Sequence, residues 1–173
     1  PDLFFRNEVA KQHIELPTAG RYGVGLVFLP TKDDERTLCE EWIESIVYEE
    51  EQLFFGWRDV PHDLKKAGRV SRSAAPIFKQ MFIGRGAGVS DQEAFERKLY
   101  LIRKKVEKRV LNSDITQKDL CYICSLYSKT VVYKGQLKGE QLRLDVFGYD
   151  MDNMKARCWY ETTFQLYTID PNI

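Results

Sequence analysis

An unbroken apolar run at residues 22–29 (YGVGLVFL) restricts the fold of this chain more than any other feature. Pro30 closes the run, and an apolar segment of this length is typical of a buried strand. The next segment begins with three acidic residues at 33–35 and then repeats apolar residues at helical spacing between 38 and 47. Because acidic side chains stabilise a helix N-terminus, the pattern predicts a strand followed by an amphipathic helix.

Further strands, loops and helices are predicted along the rest of the chain. Further apolar segments predict strands at 53–57, 76–83, 120–127 and 130–133. Polar residues 58–75 predict a loop, and residues 1–20 predict a short helix followed by a turn. Residues 143–173 are harder to assign, although alternation between 159 and 167 predicts a strand there.

A second amphipathic helix is predicted after residue 90. Ser90 and Glu93 match a capping box in which Ser90 is the N-cap. The apolar stripe of this helix consists of Phe95, Leu99, Ile102, Val106 and Val110. The order across residues 22–127 is therefore β-α-β-β-α-β, the split βαβ pattern. It predicts an α+β fold with helices on one face of an antiparallel sheet.

Composition excludes several classes of partner. The 26 basic residues balance 26 acidic ones, so no global field attracts nucleic acid or anionic lipid, and we expect neither as a partner. No apolar run reaches the roughly 18 residues of a membrane-spanning helix. Four cysteines in 173 residues are too few for a disulfide scaffold, so we expect reduced thiols. The expected location is the cytoplasm, with a plastid as the alternative.

Cys121 and Cys124 form a CxxC motif. A zinc site needs four ligands around one point, yet no second CxxC exists, and the histidines are only His13 and His62. In a strand, side chains three residues apart point to opposite faces, so the two thiols should not converge. The motif therefore favours a pair of small buried side chains over a metal site.

Three other motifs have both a functional and a structural interpretation. Glycines at 84–88 (GRGAG) could hold a phosphate before a helix, but the Walker and dinucleotide spacings are absent, which favours a turn with positive φ angles. The basic run 103–109 favours a solvated helix end over a surface for nucleic acid or an acidic partner. Trp57-Arg58-Asp59 could line a pocket, but such a tryptophan more often anchors its segment to the core.

Four longer segments are much more specific: ELPTAGRYGVGLVFLP (15–30), FGWRDVP (55–61), MFIGRGAGVSDQEAFERKLYLIRKKVEK (81–108) and YICSLYSKTVVYKGQL (122–137). In this order and spacing they closely resemble the class II glutamine amidotransferase domain at the N-terminus of the glutamate synthase large subunit. The resemblance covers about residues 1–142, which we interpret as a partial amidotransferase domain. Residues 143–173 form an unassigned tail that does not align with the family.

The resemblance implies an N-terminal-nucleophile fold, a four-layer αββα sandwich. It also implies hydrolysis of L-glutamine to glutamate and ammonia, with the ammonia used for glutamate synthesis from 2-oxoglutarate. The parent enzymes use FMN, an iron–sulfur cluster and either NAD(P)H or ferredoxin. Those sites lie beyond residue 173 in the family's order, so we expect no cofactor on this chain. The implied partners are L-glutamine, in a complete domain, and the remainder of the glutamate synthase polypeptide.

The resemblance also bears on catalysis. The nucleophile of this class is an N-terminal cysteine whose own α-amino group acts as the base. The chain opens with Pro1, and Cys39, Cys121, Cys124 and Cys158 all lie inside it, so none matches. The family's Arg-Phe-Ser-Thr-Asn-Thr strand and Asn-Gly pair have no counterpart. We therefore predict an internal fragment that is inactive alone, without catalytic, cofactor-binding or metal residues. The alternative is a stand-alone βαββαβ module that binds a small ligand or a protein.

Overall fold

The computed structural model describes residues 2–65, 67–135, 147–154 and 165–169. Within these ranges it contains five α-helices, six strands and one 3-10 turn, Lys118–Leu120. The helices are α1 (Asp2–Ala10), α2 (Asp33–Glu49), α3 (Arg69–Ser73), α4 (Gln92–Leu111) and α5 (Gly148–Asn153). The strands are β1 (Tyr22–Leu29), β2 (Leu53–Asp59), β3 (Ile77–Gly84), β4 (Tyr122–Tyr127), β5 (Val131–Gly135) and β6 (Gln165–Ile169).

Four strands form one antiparallel sheet in the order β2-β3-β1-β4. The central strand β1 pairs with β3 along its whole length, from Tyr22 opposite Gly84 to Leu29 opposite Ile77. Helices α2 and α4 each connect two strands that have a third strand between them, which is the split βαβ arrangement. The order of the four strands and two long helices, and the antiparallel sheet, predicted for residues 22–127 are therefore confirmed.

Helices α2 and α4 cover one face of this sheet. All five residues of the stripe predicted for α4 are buried, and they pack with Cys39, Ile43 and Val47 of α2. Gly23 of β1 permits the close approach of α4, because a Cβ atom there would lie 2.7 Å from Leu99 Cδ1. Among the described residues, no helix combines the length and the apolar character needed to cross a bilayer.

The opposite face of the sheet is also buried. Val24 and Leu26 of β1 point into a second apolar cluster, whereas Val27 and Leu29 point towards α2 and α4. The second cluster is closed by residues of α1, β5 and α5, including Phe5, Tyr133 and the adjacent Phe147. The unbroken apolar sequence of β1 follows from this burial on both sides.

The structure corrects two local predictions. The N-cap of α4 is Asp91, whose Oδ1 accepts the amide of Ala94 at 2.8 Å, and not Ser90. Ser90 instead donates to the Asp91 carboxylate at 2.9 Å. The segment predicted as a loop over 58–75 contains the end of β2 and the short helix α3.

The strands predicted at 120–127 and 130–133 are both present, as β4 and β5, and they lie in different sheets. β4 is the edge of the four-stranded sheet beside β1, whereas β5 pairs with β6 in a separate antiparallel pair. The two strands still touch, because the Ser125 hydroxyl accepts from the Val132 amide at 3.2 Å. β6 overlaps the end of the strand predicted between 159 and 167, and residues 155–164 lie outside the described part of the chain.

Candidate functional site

A buried polar network surrounds Arg58, on the face of the sheet opposite α2 and α4. Arg58 makes a bidentate pair with Asp150 of α5, at 2.9 Å through Nη1 and 2.8 Å through Nη2. Nη1 also donates to Gln80 Oε1 at 2.7 Å, and Nη2 to Glu8 Oε2 at 3.0 Å. Tyr133 of β5 donates to Asp150 at 2.5 Å and accepts from Gln80 Nε2 at 2.6 Å.

The backbone brings these residues together in an identifiable way. Arg58 and Gln80 are cross-strand neighbours in the register of β2 and β3, so their side chains share one face. Glu8 reaches them from α1, Tyr133 from β5 and Asp150 from α5. The network therefore joins five elements that are distant in sequence.

The surroundings keep Arg58 and Glu8 charged and Tyr133 neutral. Burial works against the charge on Arg58, but the hydrogen bonds and charges of Asp150 and Glu8 outweigh it and raise its pKa above the ordinary value. Burial also opposes ionisation of Glu8, yet hydrogen bonds from Lys11 and Arg58 hold its pKa below the usual range. For Tyr133, burial and the carboxylate of Asp150 raise the pKa, so the phenol stays a neutral donor.

This network holds layers together and offers no open reactive group. The Asp150 side chain is fully buried, and that of Arg58 is only 3% exposed. Each terminal nitrogen of Arg58 already donates to two protein acceptors, so neither is left for a substrate carboxylate. Its chemistry is that of a positioning element: it fixes α1, β5 and α5 against the sheet.

Trp57, next to Arg58, anchors β2 to the helix layer. Its indole N–H donates to Glu44 of α2 at 2.8 Å, and its ring packs edge-on to Phe54 with centroids 5.4 Å apart. Successive residues of a strand point to opposite faces, which is why Trp57 faces the helices while Arg58 faces the second layer. The anchoring interpretation of this motif is confirmed.

The glycine segment 84–88 packs closely against the backbone at Glu51. The prediction of positive φ angles in this segment is wrong. Positive φ among the described glycines occurs only at Gly20 and Gly56. At Gly86, a Cβ atom would lie 2.0 Å from the backbone oxygen of Glu51, so close packing excludes a side chain. Its amide donates to Gln52 Oε1 at 2.9 Å. That amide is unavailable to an anion, and the Asp91 cap adds negative charge at the following helix.

Acidic neighbours compensate the basic run of α4. Arg103 and Lys104 contact Glu107 at 3.3 and 2.7 Å, and Lys105 pairs with Glu50 of the α2 C-terminus. An open groove of about 850 Å³ lies between α2 and the end of α4, with Glu35, Trp42, Lys108 and Arg109 among its lining residues. Because its charges are of both signs, the groove does not form a basic surface for nucleic acid.

The cysteines of the CxxC motif point to opposite faces, as predicted. Cys124 packs in the second cluster, where burial raises its pKa to about 12, whereas Cys121 packs on the helix side against Cys39. Within the described residues, no group of three or more His, Cys, Asp and Glu side chains could hold a metal ion. Cys39 lies in α2, Cys121 directly before β4 and Cys124 within it, so none carries a free α-amino group. Cys158 lies outside the described residues.

Sequence reasoning isolated Arg58 but missed its partners. Tyr133 lies in the segment 122–137, whereas Glu8, Gln80 and Asp150 lie outside the four resembling segments. Only long-range packing brings these residues to Arg58. One signal was present: Gln80 interrupts the apolar strand FKQMFI, and a polar residue on a buried strand needs a buried partner.

Comparison with known proteins identifies the family to which the chain belongs. The family model for class-II glutamine amidotransferases matches residues 1–168. The glutamate synthase [NADPH] large chain of Bacillus subtilis is 42% identical over 153 residues, which cover 88% of this chain and 10% of that protein. The large chain from Azospirillum brasilense is 34% identical, covering 82% and 9%, and the ferredoxin-dependent glutamate synthase 1 of Arabidopsis thaliana is 34% identical, covering 84% and 8%. The chain thus spans about a tenth of the length of these relatives, and it belongs to the class-II glutamine amidotransferases.

Proposed function

We propose that this chain is part of the glutaminase domain of a glutamate synthase. In this role it supports hydrolysis of L-glutamine to glutamate and ammonia, and the ammonia serves glutamate synthesis from 2-oxoglutarate in the remainder of the polypeptide. The observation that carries the proposal is the 42% identity over 153 residues to a glutamate synthase large chain. The alternative, a stand-alone binding module, has no comparable support.

The order of the helix and sheet layers supports the more specific assignment of the fold to an αββα sandwich. Helices α2 and α4 form one outer layer, the four-stranded sheet the next, and the β5–β6 pair packs on the far side of that sheet. In this proposal residues 1–142 belong to the amidotransferase domain and contribute one helix layer, one sheet and the beginning of the second sheet. The boundary of the tail at residue 143 remains part of the proposal.

The residues of this chain act as scaffold in the proposed reaction. The class requires a thiol and an α-amine on one residue, because the amine accepts the thiol proton near neutral pH. The described cysteines are internal, so they are not that residue. The printed names of the relatives give either NADPH or ferredoxin as the electron donor, so the similarity favours neither donor for this chain.

A chimaera tests the proposal. The matching 153-residue segment of the Bacillus subtilis protein would be replaced by the segment of this chain, and glutamine-dependent ammonia release would be measured. We expect hydrolysis to be retained within about tenfold, because the exchanged segment is scaffold. A chimaera with the parent's melting temperature and size, but without glutamine hydrolysis, would contradict the proposal. As a matched pair, Asp152→Ala in the exchanged segment should preserve the activity, whereas Asp150→Ala should reduce it.

A further inference from the structure

The outer surface of the helix layer carries opposite charges on its two helices. α2 contains seven acidic residues and one basic residue, whereas α4 contains seven basic residues and three acidic ones. Away from the sheet, Asp34, Glu41 and Glu49 are exposed on α2. The exposed positions of α4 include Lys104 and Lys108. The surface is therefore acidic along one helix and basic along its neighbour.

Apolar side chains are exposed on the same surface. Leu38 and Trp42 line the open groove of about 850 Å³ between α2 and the end of α4. Leu111, at the end of α4, is 72% exposed, and Leu101 and Tyr48 are also exposed. Apolar groups that are grouped on two adjacent helices and bordered by charges are typical of a surface that contacts another protein.

Contacts between α2 and α4 show which of their residues lie at the same height along the groove. The Arg109 guanidinium lies over the Trp42 ring, 5.2 Å from its centroid. Glu50, directly after α2, pairs with Lys98 at 2.9 Å and with Lys105. The end of α2 thus lies beside the first half of α4, and the middle of α2 beside the end of α4. The two helices are therefore antiparallel, and their relative height is fixed at two places.

We propose that this outer helix surface binds a second copy of the chain, with the two-fold axis along the groove. Rotation about that axis places α2 of each copy over α4 of the other and leaves every residue at its own height. By the spacing of the contacts above, Glu41 then faces Lys108 of the other copy, and Leu38 faces Leu111. An axis across the groove would instead place the acidic α2 on α2, so charge complementarity selects the first arrangement.

The size of the surface predicts a weak dimer. α2 has 17 residues and is therefore about 25 Å long, and two adjacent helices with their side chains are about 20 Å wide. Each copy thus covers about 500 Å², and the total of about 1,000 Å² lies at the lower limit of specific interfaces. Because the charges that face each other are exposed before association, salt should weaken the dimer.

Sedimentation velocity of the full chain, over a range of about 2 to 200 µM, tests the proposal. We expect dimers at the upper concentrations in about 0.05 M salt and at least tenfold weaker association in about 0.5 M salt. Glu41→Lys and Lys108→Glu should each weaken the dimer about tenfold or more, because each places like charges at both symmetry-related contacts. An equimolar mixture of these two variants should associate again, since both contacts then join opposite charges.

Two matched controls separate the interface from the effect of net charge. Glu15→Lys and Lys129→Glu change the net charge by the same amounts, at exposed positions outside the helix layer, and should leave dimerisation unchanged. Glu41 and Lys108 are exposed and form no ion pair among the described residues, so the variants should keep the wild-type Tm.

Three results would overturn the proposal. The first is a monomer at every concentration in low salt. The second is a dimer that Lys108→Glu does not weaken. The third is a mixture of the Glu41→Lys and Lys108→Glu proteins that stays monomeric, because that result excludes the placement of α2 on α4.

Discussion

Removing the Asp150 carboxylate is the most direct test of the buried network. Asp150 is fully buried, accepts two hydrogen bonds from Arg58 and accepts a third from Tyr133. Asp150→Ala leaves the Arg58 guanidinium buried with Glu8 as its remaining ionic partner. Hydrogen bonds to charged groups contribute about 1.5–3 kcal/mol each, so two of them amount to about 3–6 kcal/mol. Removal of one partner of a buried ion pair lowers the free energy of unfolding by about 3–5 kcal/mol, which agrees with this sum.

The loss is large relative to the stability of an ordinary domain, which is about 5–15 kcal/mol. Urea denaturation at neutral pH, followed by tryptophan fluorescence, would measure it as a change in the free energy of unfolding. Asp152 offers a matched control in the same helix, since its side chain is exposed, and Asp152→Ala should shift that free energy by less than about 0.5 kcal/mol.

A double-mutant cycle separates the ion pair from general damage to the core. Arg58→Met removes the charge that Asp150→Ala leaves unpaired, so the double variant should be more stable than the sum of the single losses by about 2 kcal/mol or more. Two results would refute the reasoning. One is a decrease in the free energy of unfolding for Asp150→Ala that is no larger than the decrease for Asp152→Ala. The other is strict additivity in the cycle.

Three further predictions use other parts of the chain. Gly86→Ala should destabilise the protein by about 1–3 kcal/mol in thermal or urea unfolding, because the new Cβ meets the Glu51 carbonyl. Gly88→Ala places its Cβ in open space and should leave the free energy of unfolding nearly unchanged. Equal losses in the two variants would contradict this reasoning. Hydrogen bonds from Thr116 and Gln117 lower the pKa of Glu35 to about 2, so its stabilising effect should be complete above pH 4.5 and lost as the pH falls towards 2. Unfolding of wild type and Glu35→Gln across that range should converge at the acidic end, and a constant difference would show the assignment to be wrong. Finally, the purified chain should release no ammonia from L-glutamine above the rate of a heat-denatured sample, and measurable turnover would show that a nucleophile has been missed.

The parts of the fold that followed from sequence are those set by local periodicity. The β1 run and the α4 stripe were assigned correctly because burial on both faces, or along one stripe, leaves a direct mark on residue order. α3 left no such mark, because four of its five residues are polar, Val70 is exposed, and none lies in the core. A single short turn of this kind has no apolar stripe to detect.

The partner of β5 could not be predicted for a different reason. Consecutive strands usually neighbour one another, and that regularity favoured pairing of β5 with β4. In the structure, β5 instead pairs with β6, with Val131 opposite Ile169. Residues 128–130 carry the chain from one sheet to the other, and β5 then packs on the face of the first sheet. Pairing across sheets is decided by tertiary burial, which the two strand sequences do not encode.

Several residues in the segments that carry the family resemblance hold the layers together. The segment FGWRDVP contains both Trp57, which contacts α2, and Arg58, which contacts the second layer. The segment 81–108 contains Gly86, whose missing side chain permits contact with Glu51, and the segment 122–137 contains Tyr133. A side chain that contacts two layers tolerates few replacements, since both contacts must survive. The family resemblance of this chain therefore includes residues that hold its scaffold together, and such residues support the family assignment.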